Sequence, residues 1–586
     1  MLEAEASPLD RVTRQLTVRA VATGMVLGGL LSLCNIYSGL KIGWSNNMSV
    51  TAALLGFAFW RVVTRATGGP SFTLLENNLN QTSASSGAAV SSAGLVAGIP
   101  ALTMLTGIEL SWPLLAMWVF SVCLVGIAVG VGLRRQMLLV DKLPFPNGIA
   151  AAQTLREMYA SGRDAVVRVQ ILAAAAATAA AVKVAEEWKL LTKVALPGSI
   201  ATASGPMTAT NLTFALEPNL LMVGVGGLIG LRAGLSLLVG SALAYLVLGP
   251  IAYGHEWIVA GKAGAAWFPQ LNKWLLWPGV TIMVTSSLTS FAFSWRSMLA
   301  AMRRPAGDVD AAGDVPRRIF LRGLAVALVL SVTLQVALFD IWLPIAAFGV
   351  VMSFLIAVVA ARVSGETNVT PVGAMGKITQ LLFGALAPGQ VAPNLMAANV
   401  TGGAASQCAD LMHDLKAGHL LGAMPRYQAL AQVTGAMAGA LIGSAAYLVL
   451  IPDPKTQLVT EQWPAPAVST WKAVAEIFAK GFDAMPTASP WAILIAAILG
   501  IVLALADRLS PVTVRRWLPS ASAMGLAFVL PAYNAISMCL GAIIAAYAGR
   551  RWPAFAGKFL IVIAAGLIAG ESLAGVGLAI ASVLGG

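Results

Sequence analysis

The sequence predicts an all-α polytopic membrane protein, and three observations carry that prediction. Hydrophobic residues make up 58% of the 586-residue chain and charged residues only 11%, far from the composition of a soluble domain. Mean hydropathy is +0.80. Apolar runs long enough to cross a hydrocarbon core as helices recur along the whole length, among them VRAVATGMVLGGLLSLCNIYSGL and PLLAMWVFSVCLVGIAVGVGL. No stretch is left over for a soluble domain of useful size. Basic residues outnumber acidic ones, 37 to 25, but they fall in short loops between apolar spans, where they orient a chain in a bilayer rather than bind nucleic acid. Arg11, Arg14 and Arg19 precede the first span, with no small-x-small cleavage site after a short apolar stretch. The first helix is therefore expected to be retained, with the N-terminus cytoplasmic. Cys34, Cys123, Cys408 and Cys539 lie in or near apolar runs without a C-x-x-C pair and read as buried free thiols.

In the first half, helices are expected near residues 17–40, 48–64, 82–105, 111–133, 163–185, 218–231, 233–253 and 276–300. Three basic groups then share one side: Arg61 and Arg65; Arg134, Arg135, Lys142 and Arg156; and the connector RRPAGDVDAAGDVPRR. The second half reads as a copy of the first. NLNQTSASSGAAVSSA from Asn78 lies without a gap over NLMAANVTGGAASQCA from Asn394, and PNLLMVGVGGLIGLRAGLSLLVGSALA from Pro218 over PSASAMGLAFVLPAYNAISMCLGAIIA from Pro519. The alternative is chance likeness between Ala/Gly-rich helices. A duplication divides the chain into a first transmembrane repeat (1–300), a cytoplasmic connector (301–317) and a second repeat (318–586). An even number of spans per half makes the two copies parallel. That layout carries a conflict, because it puts Arg508, Arg515, Arg516, Arg550 and Arg551 on the outer side.

Polar residues inside the spans are the candidates for function. In ENNLNQTSASSG, Asn78, Gln81, Thr82 and Ser85 follow the i, i+3, i+4, i+7 spacing of one helical face, which Ser92 extends. The second copy places Asn399, Ser406 and Asp410 on one face. Such stripes serve either as glue between helices or as the lining of a cavity between the halves. In SGETNVTPVGAMGKITQLLFG, Thr370-Pro371 disfavours helix and Gly365, Gly373 and Gly376 permit tight backbone, so a broken or re-entrant span is expected, with Glu366 and Lys377 on either side; an ordinary loop is the alternative. NIYSGLKIGW ends the first span with Asn35, Tyr37 and Lys41. LPFPNGIAAAQTL reads as a turn opening a short helix. Glu571 has apolar sequence on both sides, and an ionisable group there is functional by default, with a structural pairing to a buried Lys or Arg as its alternative.

Several chemistries are set aside. The glycines between 222 and 230 do not form G-x-G-x-x-G or G-K-[ST], so no nucleotide-driven pump is visible. Cys408, His413 and His419 do not share a helical face, and no metal site is expected from them. No H-E-x-x-H or G-x-S-x-G motif supports an embedded enzyme. No cofactor is implied.

NIYSGLKIGW, ENNLNQTSASSGA, LPFPNGIAAAQTL, VGVGGLIGLRAGLSLLVG, SGETNVTPVGAMGKITQLLFG and NLMAANVTGGAASQCADLMHDLKAGH, in order along nearly the whole chain, resemble the motifs of the oligopeptide transporter family, in its bacterial members and near its yellow stripe-like branch. The resemblance implies about 16 helices in two eight-helix halves, placed in a bacterial inner membrane. It also implies proton-coupled uptake of small peptides or metal chelates, without saying which. On that reading the substrate contacts are Asn35, Tyr37, Lys41, Asn78, Gln81, Thr82, Ser85, Thr370, Lys377, Asn394 and Asn399. Glu366 and Glu76, beside the polar segments, are the proton-coupling candidates, with Glu571 as a buried partner that shares the proton. The partners are the substrate, protons and the bilayer. A passive channel is the first alternative.

Overall fold

The computed structural model describes residues 15–585 except 161, 304–313, 368–369, 371 and 482–484; most of the expected connector therefore lies outside the described residues. The chain opens with α1 (Val18–Ile42), capped by the Thr17 hydroxyl and ended by Gly43 at φ 93°. α2 (Ser49–Thr67) follows. α3 (Leu74–Ala89) begins eight residues before the expected helix start at 82, because Thr73 and Glu76 form a capping box. Apolar periodicity does not register a helix whose first turns are polar. A 3-10 turn at Val90–Ala93 then interrupts it before α4 (Gly98–Thr106). The interruption has a cause in packing: Gly94 sits at φ +125°, and a Cβ there would stand 2.4 Å from the amide oxygen of Asn399.

α5 (Trp112–Arg134), the short α6 (Pro146–Ala160) and α7 (Gly162–Glu187) complete this part. Residues 188–218 form two small antiparallel ladders, β1 (Val194–Ala195) with β4 (Ala215–Leu216) and β2 (Ser199–Thr202) with β3 (Gly205–Thr208), which the helical reading did not anticipate. The chain continues with α8 (Leu220–Ile229), α9 (Leu231–Ser241), α10 (Gly249–Gly254) and the long α11 (Phe268–Arg303).

Beyond the connector run α12 (Arg317–Phe339), α13 (Leu343–Thr367), α14 (Val372–Leu386), α15 (Val391–Leu421), α16 (Pro425–Leu450), α17 (Pro454–Gln457) and α18 (Pro466–Lys480). α19 (Ser489–Leu509), α20 (Val512–Arg515), α21 (Ala521–Ala527), α22 (Ala532–Arg551) and α23 (Pro553–Gly585) finish the chain. Near Thr370-Pro371 one helix ends at Thr367 and the next starts at Val372, which fits the expected broken span and the ordinary loop alike; residues 368–369 and 371 between them lie outside the described ones. Among the described residues, eleven helical stretches are long and apolar enough to cross a membrane, fewer than the sixteen expected. α15 is long but carries Asp410, Asp414 and Lys416, while α6, α14, α18 and α21 are too short to span.

Small residues let the helices meet backbone to backbone, and the contacts fix their directions. α1 and α3 run parallel, Gly24 lying against Ser83 and Gly28 against Gly87; α16 runs the same way, Gly435 against Ser83 and Gly439 against Gly87. α5 is parallel to α15 through Gly126 on Ala404 and Gly130 on Leu411, and α13 joins them through Gly349 on Ala397 and Ser364 on His413. Between the two sets the direction reverses. Along α15, Asn399 donates to the Ala93 carbonyl and Gln407 to Ser86, so α15 ascends as α3 descends. α3 and α15 are the pair that the sequence overlay matches, and they run antiparallel where a parallel course was expected.

For Arg550 and Arg551 the expected conflict with the other basic residues is not seen. Arg61 at the end of α2 donates to the Gly162 carbonyl at the start of α7, whose Asp164 lies 3.7 Å from Lys558, close after Arg550 and Arg551. These arginines thus lie at the end of the bundle where α1 begins.

Candidate functional site

A cavity of about 580 Å³ opens among elements from both sides of the connector. Gly43 and Trp44 from the α1–α2 connector, Ile229 and Ala233 from the α8–α9 turn, and Met283 and Ser287 from α11 supply one side. Thr370, Gly373, Met375 and Lys377 at the helix break, Trp471 from α18 and Ser522 from α21 supply the other. Three helices of ordinary length present their first turns to it: α9 at Ala233, α14 at Gly373 and α18 at Ala467. Helix N-termini favour negative charge. Lys377 is only 6% exposed, and no carboxylate pairs with it among the described residues. A buried ammonium without a partner is costly, so the site has the chemistry to receive an anionic group, flanked by indole and thioether surface for an apolar portion.

A second polar centre is buried where α2, α3, α15 and α16 meet. Asp414 on α15 is 1% exposed; the Ser49 hydroxyl donates to it at 3.2 Å and the Gln432 amide at 2.8 Å. Ser49 also reaches Ser85 at 3.0 Å, and Gln407 joins Gln432 to Ser86. Asp410, one turn back, faces Asn47 at 3.5 Å. Both amide atoms of Asn78 and the amide oxygen of Gln81 are buried with no protein partner, which makes this a wet or ligand-accepting interior rather than a dry one.

The expected site residues divide among three places. Thr370 and Lys377 line the cavity. Gln81, Thr82, Ser85 and Asn78 belong to the polar centre around Asp414: Thr82 accepts from Gln81 and donates to the Asn78 carbonyl. The remaining expected residues hold helices together. Asn35 donates to the carbonyls of Asn46 and Ala88. Asn394 exchanges two hydrogen bonds with Gln380, and Asn399 covers the α3 break. Tyr37 packs edge-on against Trp463, with the Lys41 ammonium 5.3 Å from its ring.

The expected acids are also placed. Glu76 is bound by the Arg19 guanidinium at 2.6 and 2.7 Å and by Thr17. Glu366 is exposed and pairs with Arg362, which also binds Asp141. Glu571 is 1% exposed and accepts the Leu221 amide at the start of α8, at 2.7 Å. Sequence reasoning followed the second stripe as far as Asp410 and stopped one turn short of Asp414; continuing the i+4 step would have reached it. Among the described residues no cluster of three His, Cys, Asp or Glu side chains could hold a metal ion.

Comparison with known proteins adds the context for this geometry. The family model for the OPT oligopeptide transporter protein matches residues 15–582. A putative oligopeptide transporter of Saccharomyces cerevisiae is 24% identical, covering 97% of each chain. A metal-nicotianamine transporter of Arabidopsis thaliana is 23% identical over 97% of this chain and 92% of its own. A probable metal-nicotianamine transporter of Oryza sativa subsp. japonica is 24% identical over 97% of this chain and 90% of its own.

Proposed function

Because the chain belongs to the OPT oligopeptide transporter family, we propose that it carries small peptides or metal chelates across the membrane by proton-coupled alternating access, with the cavity at Lys377 as its substrate site. The observation that carries this reading is the buried Lys377 ammonium, without a carboxylate partner among the described residues, facing a cavity shared by elements from before and after the connector. Oligopeptides and organic metal chelates both bear carboxylates, which that ammonium and the neighbouring helix N-termini suit. Trp44, Trp471, Met283 and Met375 supply contact for the rest of the molecule.

The two halves of the chain are proposed as one duplicated unit in inverted orientation, with boundaries at the connector. The packing supports it pair by pair. α7 lies along α23 as α19 lies along α11, with Gly570 on Ala176 and Gly500 on Ile282. α8 meets α23 at Gly224 as α21 meets α11 at Gly525. An inverted pair gives two arrangements that are mirror counterparts across the membrane, which suits a site opened to either side in turn. The basic end is the cytoplasmic one on this reading.

Uptake by purified protein in liposomes tests the function. Labelled trialanine and ferric nicotianamine should compete for saturable uptake that an inward proton gradient drives. Flux that rises linearly with concentration and ignores the proton gradient would mark a channel and sink the proposal.

A further inference from the structure

We propose that Asp414 is the group that binds and releases the coupled proton, an assignment that rests on the proton-coupled reading above. The geometry singles it out from the three acids that the sequence marked for coupling. Glu76 is held by a guanidinium and Glu366 is exposed beside Arg362. Glu571 caps the first turn of α8 through the Leu221 amide, a bond that fixes a helix end. Asp414 is enclosed between four helices, and the side-chain donors that reach it among the described residues are neutral: Ser49 from α2, Gln81 from α3 and Gln432 from α16.

The ionisable groups around it leave its charge uncompensated. On its own helix the like-charged Asp410 faces Asn47, His413 turns to Ser364, and Lys416 is itself engaged. From α3 the only acid is Glu76, already held by Arg19. From α6, Glu157 pairs with Arg168, and Arg156 donates to the Leu420 carbonyl. From α13, Arg362 is engaged by Asp141. On α16 the facing side chains are Gln428 and Gln432, and Arg426 is directed to Tyr427.

Ser49 makes the site two-state. Its single hydroxyl hydrogen lies within reach of both Asp414 and Ser85. When Asp414 is ionised, that hydrogen goes to the carboxylate. When a proton arrives from water, a new O–H bond forms on a carboxylate oxygen and donates to the Ser49 oxygen, and the Ser49 hydrogen turns to Ser85. The proton comes from a hydronium ion, whose O–H bond breaks as the new one forms and which is left as water; release to water reverses both moves.

Two routes tie this switch to the substrate cavity. The connector that carries Asn47 and leads into Ser49 begins with Gly43 and Trp44 in the cavity wall. His413, the neighbour of Asp414 along the chain, bonds Ser364 at 3.0 Å, and Ser364 bonds Thr370 in the cavity wall at 2.9 Å. Substrate that moves either wall therefore bears on the residues around Asp414.

The experiment compares wild type, Asp414→Asn, Ser49→Ala and Glu571→Gln in liposomes, with trialanine and ferric nicotianamine as probes. Counterflow exchange without a gradient and accumulation under an inward proton gradient are both measured. Asp414→Asn should keep exchange within about twofold and lose accumulation altogether, while Glu571→Gln still accumulates. Ser49→Ala retains the carboxylate but removes one donor to its charged form, so the pH midpoint of uptake should shift by about one unit. Should Asp414→Asn fail to fold, the Ser49→Ala profile decides: an unchanged midpoint overturns the assignment. Accumulation by Asp414→Asn equal to wild type overturns the assignment alone. Wild-type uptake that ignores the proton gradient overturns the proton-coupled reading and the assignment with it.

Discussion

Asn78 and Asn394 open matching segments of sequence, yet the fold uses them differently. Asn394 is fully engaged with Gln380, whereas both amide atoms of Asn78 are buried without a protein partner beside the Asp414 centre. Asn394→Ala should therefore cost roughly 1–3 kcal/mol of stability through the two buried hydrogen bonds lost with Gln380, seen as a lower unfolding midpoint in detergent, with substrate affinity unchanged. A normal midpoint with weakened affinity would move Asn394 to the binding site. Lys377 calls for the opposite pattern. Lys377→Met keeps the stem and deletes the charge, so it should lower affinity for a free-carboxylate peptide about ten- to hundredfold, as for the loss of a charged hydrogen bond, and spare its C-terminally amidated form. Equal loss for both peptides would assign Lys377 to the scaffold. The sequence marked Lys377 because a lysine stands beside a glycine-rich break; it could not separate Asn78 from Asn394, since only tertiary contacts decide which amide is satisfied.

Helix existence was legible wherever apolar runs were long, as in α1, α5 and α7, and the helix boundary before Val372 was legible from Thr370-Pro371. The polar helices were harder. α3 announces itself through Thr73 and Glu76, a capping signal that an apolar window ignores, and its interruption at Gly94 depends on Asn399, three hundred residues away in sequence. Gly94→Ala joins two penalties, a positive φ and a Cβ 2.4 Å from the Asn399 amide. It should destabilise the protein by roughly 1–3 kcal/mol, and shortening the partner in Gly94→Ala/Asn399→Ala should recover part of that loss. If the double variant is no more stable than Gly94→Ala alone, the contact with Asn399 is not what shapes the break.

At the scale of the whole chain, loop charge carried more information than span counting. Counting about eight spans per half made the copies parallel and stranded five arginines on the wrong side. The α-helical content was right, whereas short helices such as α6, α14 and α18 do not announce in sequence whether they cross. The contacts of α2 and α23 with the start of α7 gather Arg61, Arg65, Arg550 and Arg551 at one end, in keeping with the tendency of basic residues to stay on one side. All four native cysteines are buried, so single exposed cysteines can report sidedness without a background. Arg65→Cys and Arg550→Cys should react with a membrane-impermeant maleimide from the same side of sealed vesicles, and Ala203→Cys, in the β2–β3 hairpin beyond the far end of α7, only from the other. A parallel arrangement of the halves predicts instead that Arg65→Cys and Arg550→Cys react from opposite sides, and that result would overturn the inverted layout.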